Sequence, residues 1–409
     1  MKTEKLGNRT FSVYLITGCV LLSYIIHLIL LCRNPSGSQL NIFFGSLKDF
    51  FADFFNVLRY VAGRDVYFNE IGGGQESPYL PLSYMLLYPF SCLNDYGSMS
   101  LSDCWSSRIS IMSVFMYTFF SLAMFIHALV ALIKKYNVNK IILLPILLSN
   151  IVLFSVERGN LVIISAAGAF YFLAFFDSEN RMLRYFALFM LVFASVLKFY
   201  PVILGFLLLK EKRYKDILYC IILGVLLTIL PFFFFKRGLM NIPLLLSNLK
   251  LHYEAYRYGI FPRFGVSHLF YHIVRKLLNN EIGPTVYIIT QISIRLICVF
   301  SVFLSYKTKD EFLSLALLIF PILFFPTNSG YYCGVYLMPL IVMTPNLFLK
   351  NKKTGIIFII YSILCLQCIQ ILFKIFNLTQ LFVNFFTLLI FVYVLVITLL
   401  KIKADKEVK

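Results

Sequence analysis

Lys210-Glu211-Lys212-Arg213-Tyr214-Lys215 is followed at residues 216–235 by DILYCIILGVLLTILPFFFF, twenty positions whose single charge, Asp216, stands at the start. A helix rises about 1.5 Å per residue, so twenty residues make about 30 Å, the thickness of a bilayer's hydrocarbon core. Basic clusters beside such runs mark the cytoplasmic side. An apolar run with a lysine-rich border is therefore read as a membrane span and its inner edge, and the same pattern recurs along the chain.

Composition agrees. Hydrophobic residues make up 60% of the 409 positions and charged residues 14%, with a mean hydropathy of +0.83. Soluble globules stay near 45–50% apolar, roughly, so that class is excluded. The formal charge of +18 could suit nucleic acid, but the lysines sit in short clusters between apolar runs and not along one amphipathic face. They read as topology signals, and no nucleic-acid partner is expected. The Lys/Ile/Phe-rich composition suggests an AT-rich bacterial source, hence a bacterial inner (plasma) membrane.

Apolar segments of roughly 16–24 residues lie near 11–32, 107–133, 139–156, 161–176, 183–198, 216–235, 285–306, 311–325, 331–348, 354–374 and 380–401, with a shorter one near 200–210. Between them come Lys2/Lys5/Arg9, Lys134/Lys135/Lys140, Arg181/Arg184, Lys210–Lys215, Lys307/Lys309, Lys350/Lys352/Lys353 and Lys401/Lys403/Lys406/Lys409. With the N-terminus inside and the short segment crossing, every cluster lands inside. The expectation is an all-α, polytopic integral membrane protein of about twelve transmembrane helices, a single membrane domain over 1–409 with both termini cytoplasmic. Counting Tyr79–Cys92 as a crossing would throw Lys134, Lys135 and Lys140 outside, so that segment is read as re-entrant or interfacial. The first span is too long to be a removed signal peptide and stays as an anchor.

This topology places the polar inserts on the non-cytoplasmic face: a first loop near 33–106, Glu157-Arg158-Gly159-Asn160, Lys198-Phe199-Tyr200-Pro201, a second loop near 236–284, and Pro326 to Tyr332. Polar groups at helix junctions near lipid are costly and usually line a cavity or bind something. Leu47 to Tyr67 reads as amphipathic, with Phe50, Phe51, Phe54 and Phe55 interspersed with Lys48, Asp49, Asp53 and Arg59. It is expected to lie as an interfacial helix with its aromatic face in the headgroups. A carboxylate there, partly desolvated by phenylalanines, would hold protons more tightly and could act as general base toward a hydroxyl. Asp53 and Asp49 both qualify, the plainer alternative being that each only wets the helix.

Arg158, Lys198, Lys236, Arg237, Arg257 and Arg263 are all external in this topology, and the first two stand at the ends of apolar spans with little loop around them. Guanidinium and ammonium at a membrane edge suit a lipid-linked phosphate, against the alternative of headgroup anchoring. Gly72-Gly73-Gly74 has neither a strand before it nor a helix directly after it, so it is no dinucleotide loop. The nine cysteines show no paired CxxC motifs, and no metal or cofactor is expected. Cys92 and Cys104 share an external loop where a disulfide could form. Arg295 stands inside a span with no evident acidic partner.

Asp53-Phe54, Gly63, Tyr67 and Pro78-Tyr79-Leu80-Pro81-Leu82 together resemble the opening of the glycosyltransferase 87 family, polytopic GT-C enzymes related to polyprenol-phosphate-mannose-dependent mannosyltransferases. Glu157-Arg158-Gly159-Asn160 is similar to that family's Arg-Gly-Asn element, and Lys198-Phe199-Tyr200-Pro201 to its Lys-x-x-Pro element. The ordered blocks cover most of the first 215 residues. Later, Tyr331-Tyr332-Cys333 stands where the family carries a His-His pair, which leaves the donor sugar open. The resemblance implies a GT-C-like fold and inverting, metal-independent transfer from a polyprenyl-phosphate sugar to a hydroxyl of a glycolipid or polysaccharide acceptor. Asp53 would be the base (Asp49 the alternative), Arg158, Lys198 and Arg263 would bind donor phosphate, and Asn160, Tyr200, Tyr331 and Tyr332 would contact substrate.

Two other readings share the layout. A polysaccharide (O-antigen) polymerase also has many spans and external arginines, but typically places its large loop late in the chain. A lipid-linked sugar flippase or transporter usually shows repeated halves and charges at mid-membrane. No internal repeat stands out here, and Arg295 is the one central charge.

Overall fold

The structure, a computed structural model, describes residues 2–33, 50–68, 77–256, 263–265, 283–327, 329–367, 372–373 and 376–407. It is all-α apart from four two-residue strands. The helices are α1 (Lys2–Arg33), α2 (Ala52–Val61), α3 (Pro81–Ser91), α4 (Leu101–Ser106), α5 (Arg108–Lys135), α6 (Leu143–Leu147), α7 (Asn150–Glu157), α8 (Val162–Phe175), α9 (Arg181–Leu197), α10 (Phe206–Lys210), α11 (Tyr214–Ile229), α12 (Asn241–Tyr256), α13 (Gly283–Lys307), α14 (Glu311–Phe324), α15 (Met338–Lys350), α16 (Lys352–Leu366) and α17 (Leu378–Glu407). Strands β1 (Arg263–Phe264) and β2 (Ser329–Gly330) pair antiparallel, as do β3 (Leu372–Phe373) and β4 (Phe376–Asn377).

All but one of the expected spans coincide with helical segments; the one read near 354–374 is helical only to Leu366, and strand β3 stands at Leu372–Phe373. Among the described residues, six are long and apolar enough to cross a membrane: Arg9–Ile29, Arg108–Lys135, Tyr214–Phe234, Pro284–Lys307, Tyr331–Lys350 and Leu381–Asp405. A seventh crossing exists if Lys140–Leu147 and Asn150–Glu157, bent by 56°, count as one. The bend falls at Ser149, whose hydroxyl accepts from the Val152 amide at 3.3 Å and so caps a new helix instead of continuing the old one.

Three further apolar helical segments, Val162–Phe175, Tyr200–Lys210 and Glu311–Phe324, are shorter. Helix α8 has fourteen residues, about 21 Å of rise against about 30 Å of hydrocarbon. Nearly all of its residues are buried, between α5 and α9. Gly168 makes that fit possible, since a Cβ there would lie 2.8 Å from the Met190 carbonyl oxygen and 2.9 Å from Ala194 Cβ. Helix α11, by contrast, buries no side chain and turns its leucines and isoleucines outward, as a lipid-facing helix does.

Polar contacts gather the basic loops at one end of the bundle. Lys135 pairs with Asp177 at 2.7 Å and Lys401 with Asp310 at 2.7 Å. Lys210 donates to Ser314 Oγ, Arg9 to the Asn137 carbonyl and Asn346 to the Tyr136 carbonyl, each at 2.7 Å. At the opposite end the first-loop segment docks on the turn at 157–160.

Helix α2 does not lay its aromatic face into headgroups. Phe54 and Phe55 are fully buried in protein, Phe54 stacking on Tyr117 at 4.7 Å and Phe55 meeting Trp105 edge-on at 5.7 Å. Covering by α3, α4 and α5 removes that surface from water without needing lipid. Helix α3, eleven residues and about 16 Å long, is too short to cross, as read for Tyr79–Cys92. Cys92 and Cys104 are both free thiols, the first exposed and the second buried. Arg295 finds a neutral partner, donating to Thr327 Oγ1 at 2.7 Å.

Candidate active site

The site is built on the docking of α2 onto the turn between α7 and α8. A helix N-terminus leaves backbone N–H groups without partners. Here the Phe51 amide donates to the Glu157 carbonyl at 2.7 Å and the Asp53 amide to the Arg158 carbonyl at 3.1 Å. The turn can come this close because it contains Gly159, at φ +60°, where a Cβ would lie 2.8 Å from Phe54 Cβ.

This docking carries the Asp53 side chain between its two neighbours across the turn. Arg158 Nη2 donates to Asp53 Oδ1 at 2.5 Å, and Asn160 Nδ2 donates to Asp53 Oδ2 at 2.7 Å. Asn160 is itself fixed, because its Oδ1 accepts from the Val162 amide at 2.9 Å and starts α8. Asn160 is buried, whereas the Asp53 and Arg158 side chains keep 19% and 22% exposure. The carboxylate is thus held rigidly, still reached from outside, with a second lone pair on each oxygen. Its immediate surroundings are polar, with the phenylalanines of α2 packed behind, in place of the apolar cover expected from the sequence.

Lys198 ends α9 and enters from the other side. Its backbone is extended at φ −143°, and Pro201 follows at the start of a 3-10 turn, so the helix stops and the side chain turns inward. It is 6% exposed, with its ammonium 4.0 Å from the Tyr79 ring centroid and 6.0 Å from that of Tyr332. No carboxylate lies within salt-bridge distance of it among the described residues. Burial pushes this ammonium down to about 8, opposed in part by the fields of Cys333 and Asp53.

The structure gathers Asp53, Arg158, Asn160, Lys198, Tyr200 and Tyr332 around one spot, Tyr332 lying within electrostatic reach of Asp53, Tyr79 and Tyr200. Tyr331 points elsewhere, stacking on Phe264 at 5.4 Å in the core. The backbone of Arg263 pairs with Gly330, directly before the two tyrosines, while its side chain lies outside the described residues, as does Asp49. Arg158, expected at an open phosphate position, meets the Asp53 carboxylate.

Tyr79 is the site residue that sequence reasoning left without a role. It stands between Pro78 and Pro81, which hold the chain extended before α3, and that flanking was the available signal. Such a set can orient a hydroxyl toward a carboxylate and receive an anion at a buried ammonium. No protein-family model, curated protein or solved structure matches this chain. The fold and site define a class, an all-α membrane protein with an acid, an arginine, a lysine and tyrosines converging at one end of its bundle.

Proposed function

We propose that this protein is a membrane glycosyltransferase that moves a sugar from a polyprenyl-phosphate donor to a hydroxyl of a glycolipid or cell-surface polysaccharide precursor. The chain then crosses a bacterial plasma membrane about twelve times, termini cytoplasmic, and works on the outer face. The observation that carries the reading is the pairing of a rigidly held, accessible carboxylate, Asp53, with a buried ammonium, Lys198, that has no carboxylate within salt-bridge distance among the described residues.

In this reading Asp53 accepts the proton of the acceptor hydroxyl as its oxygen attacks the anomeric carbon. The bond from that carbon to the phosphate oxygen breaks on the opposite face, inverting the centre, and polyprenyl phosphate leaves with the electron pair. Lys198 offsets the charge that grows on the leaving phosphate, where a fixed cation in a dry site acts most strongly. Arg158 and Asn160 aim the carboxylate, with Tyr200 and Tyr332 beside the sugar.

The test is transfer of radiolabelled sugar from a panel of polyprenyl-phosphate donors to membrane glycans, comparing wild-type membranes with membranes carrying Asp53→Asn. Loss of a positioned base should cost at least about a hundredfold in rate, with the variant still inserted in the membrane. Asp49→Asn should cost far less. No transfer from any donor by wild type would defeat the reading, and full activity in Asp53→Asn would remove Asp53 as the base.

A further inference from the structure

Tyr79 touches both halves of the site. Its ring lies under the Lys198 ammonium at 4.0 Å, and its side chain faces that of Asn160, which donates to Asp53 at 2.7 Å. Its backbone is tied on both sides. Tyr67 Oη donates to the Tyr79 carbonyl at 2.8 Å, and the Tyr79 amide donates to Tyr84 Oη at 3.2 Å. The Tyr84 and Tyr67 rings meet edge to face at 5.7 Å, and both are buried. A surface aromatic that merely anchors a loop in headgroups needs none of this fixation.

We propose that Tyr79 is a positioning residue, whose ring stations the Lys198 ammonium to meet a phosphate. An aromatic face favours a buried ammonium's charge without occupying the position of an anion, and among the described residues no carboxylate lies within salt-bridge distance of Lys198. A carboxylate in the same place would satisfy the lysine and compete with phosphate. Tyrosine therefore keeps Lys198 charged and available. This inference rests on the transferase reading for the nature of the anion, but not for the contact itself.

Among the described residues, the charged and titratable groups around that ammonium are Asp53 from α2, Arg158 on the turn after α7, Tyr79 before α3, Tyr200 after α9, and Tyr332 and Cys333 before α15. The ring's share is separable from theirs by substitution. The experiment is a nuclear magnetic resonance titration of isotope-labelled, reductively methylated Lys198 in detergent micelles, for wild type, Tyr79→Phe and Tyr79→Leu. Binding of a sugar-free, short-chain polyprenyl phosphate is measured alongside.

Tyr79→Phe keeps the ring and should leave the Lys198 midpoint within a few tenths of wild type. Tyr79→Leu should lower it by about one pH unit, the scale of a desolvated cation–π contact, and weaken polyprenyl phosphate about twofold at pH 7, rising toward about tenfold above pH 8 as the neutral amine takes over. An unchanged midpoint in a folded Tyr79→Leu protein overturns the proposal, as does an equal drop in Tyr79→Phe. If the midpoint moves as expected but wild type does not bind polyprenyl phosphate, the ring contact stands and the transferase reading falls.

Discussion

Gly159 and Phe54 stand so close that a methyl group on the glycine would lie 2.8 Å from Phe54 Cβ, a separation that carbon atoms do not tolerate. The two residues belong to segments more than a hundred positions apart in sequence, and their contact sets how near Asp53 comes to Arg158 and Asn160. Gly159→Ala adds strain at a positive φ as well as the clash. The substitution should cost about 1–3 kcal/mol of stability and push α2 off the turn. Thermal unfolding in detergent should show the lower midpoint, and transfer activity should fall with it. An unchanged midpoint would mean that α2 does not dock on this turn.

Lys198 gives a pH prediction with a defined sign. Its folded-state value, about 8, lies below the ordinary 10.5, so between these values the unfolded chain binds more protons than the folded one. Stability contributed by this group therefore rises with pH across that window and is lowest below it. Removing the charge with Lys198→Met should stabilise the protein at pH 7 by about 1–3 kcal/mol while abolishing phosphate-lipid binding. In wild type, polyprenyl-phosphate affinity should fall above about pH 8 by roughly tenfold per unit, following the neutral amine. A variant both less stable and unable to bind would point to a structural lysine.

Much of this was legible in the sequence, because hydropathy and basic borders report helices directly. All but one of the expected spans fell on helices, Arg158, Asn160 and Lys198 stand out as polar residues at junctions, and Asp53 as a carboxylate on an amphipathic segment. Their relations were not legible. That Arg158 faces Asp53 depends on Gly159 and Phe54 meeting, a packing event with no local signature. The aromatic face of α2 is hydrophobic whether lipid or protein covers it, and only the placement of Trp105 and Tyr117 decides between them. Tyr79 had no role legible in the sequence because the lysine at its ring comes from a helix more than a hundred residues later.

Helix α9 presents Lys198 from its last turn, so its fit against α8 fixes the lysine's position. Gly168→Leu would force the two helices apart, since the nearest obstacle is the Met190 backbone oxygen, which cannot rotate away. A loss of about 1–3 kcal/mol is expected from overpacking, together with weaker polyprenyl-phosphate binding. Gly205→Ala is the control, because its nearest neighbour is Leu191 at 3.8 Å and an added methyl fits. Equal behaviour of the two variants in thermal unfolding and lipid binding would show that the α8–α9 contact is loose.

The number of crossings is decided most sharply at the two ends of α9. If only the six long helices cross, Glu179 and Phe199 lie on the same side as Lys135, because no long helix separates the three. If the bent pair also crosses, both move together to the other side. If α8, α9 and the short segment at 200–210 cross as well, as twelve spans require, Glu179 and Phe199 fall on opposite faces. Both positions are exposed, so Glu179→Cys and Phe199→Cys in a cysteine-free background can be reached by a membrane-impermeant maleimide on intact cells. Twelve spans with an outward-facing site require Phe199→Cys to label and Glu179→Cys to stay protected until the membrane is opened. Labelling of both from outside would mean that α9 does not cross, and protection of both until the membrane is opened would place Lys198 on the inner side and defeat an outward-facing site.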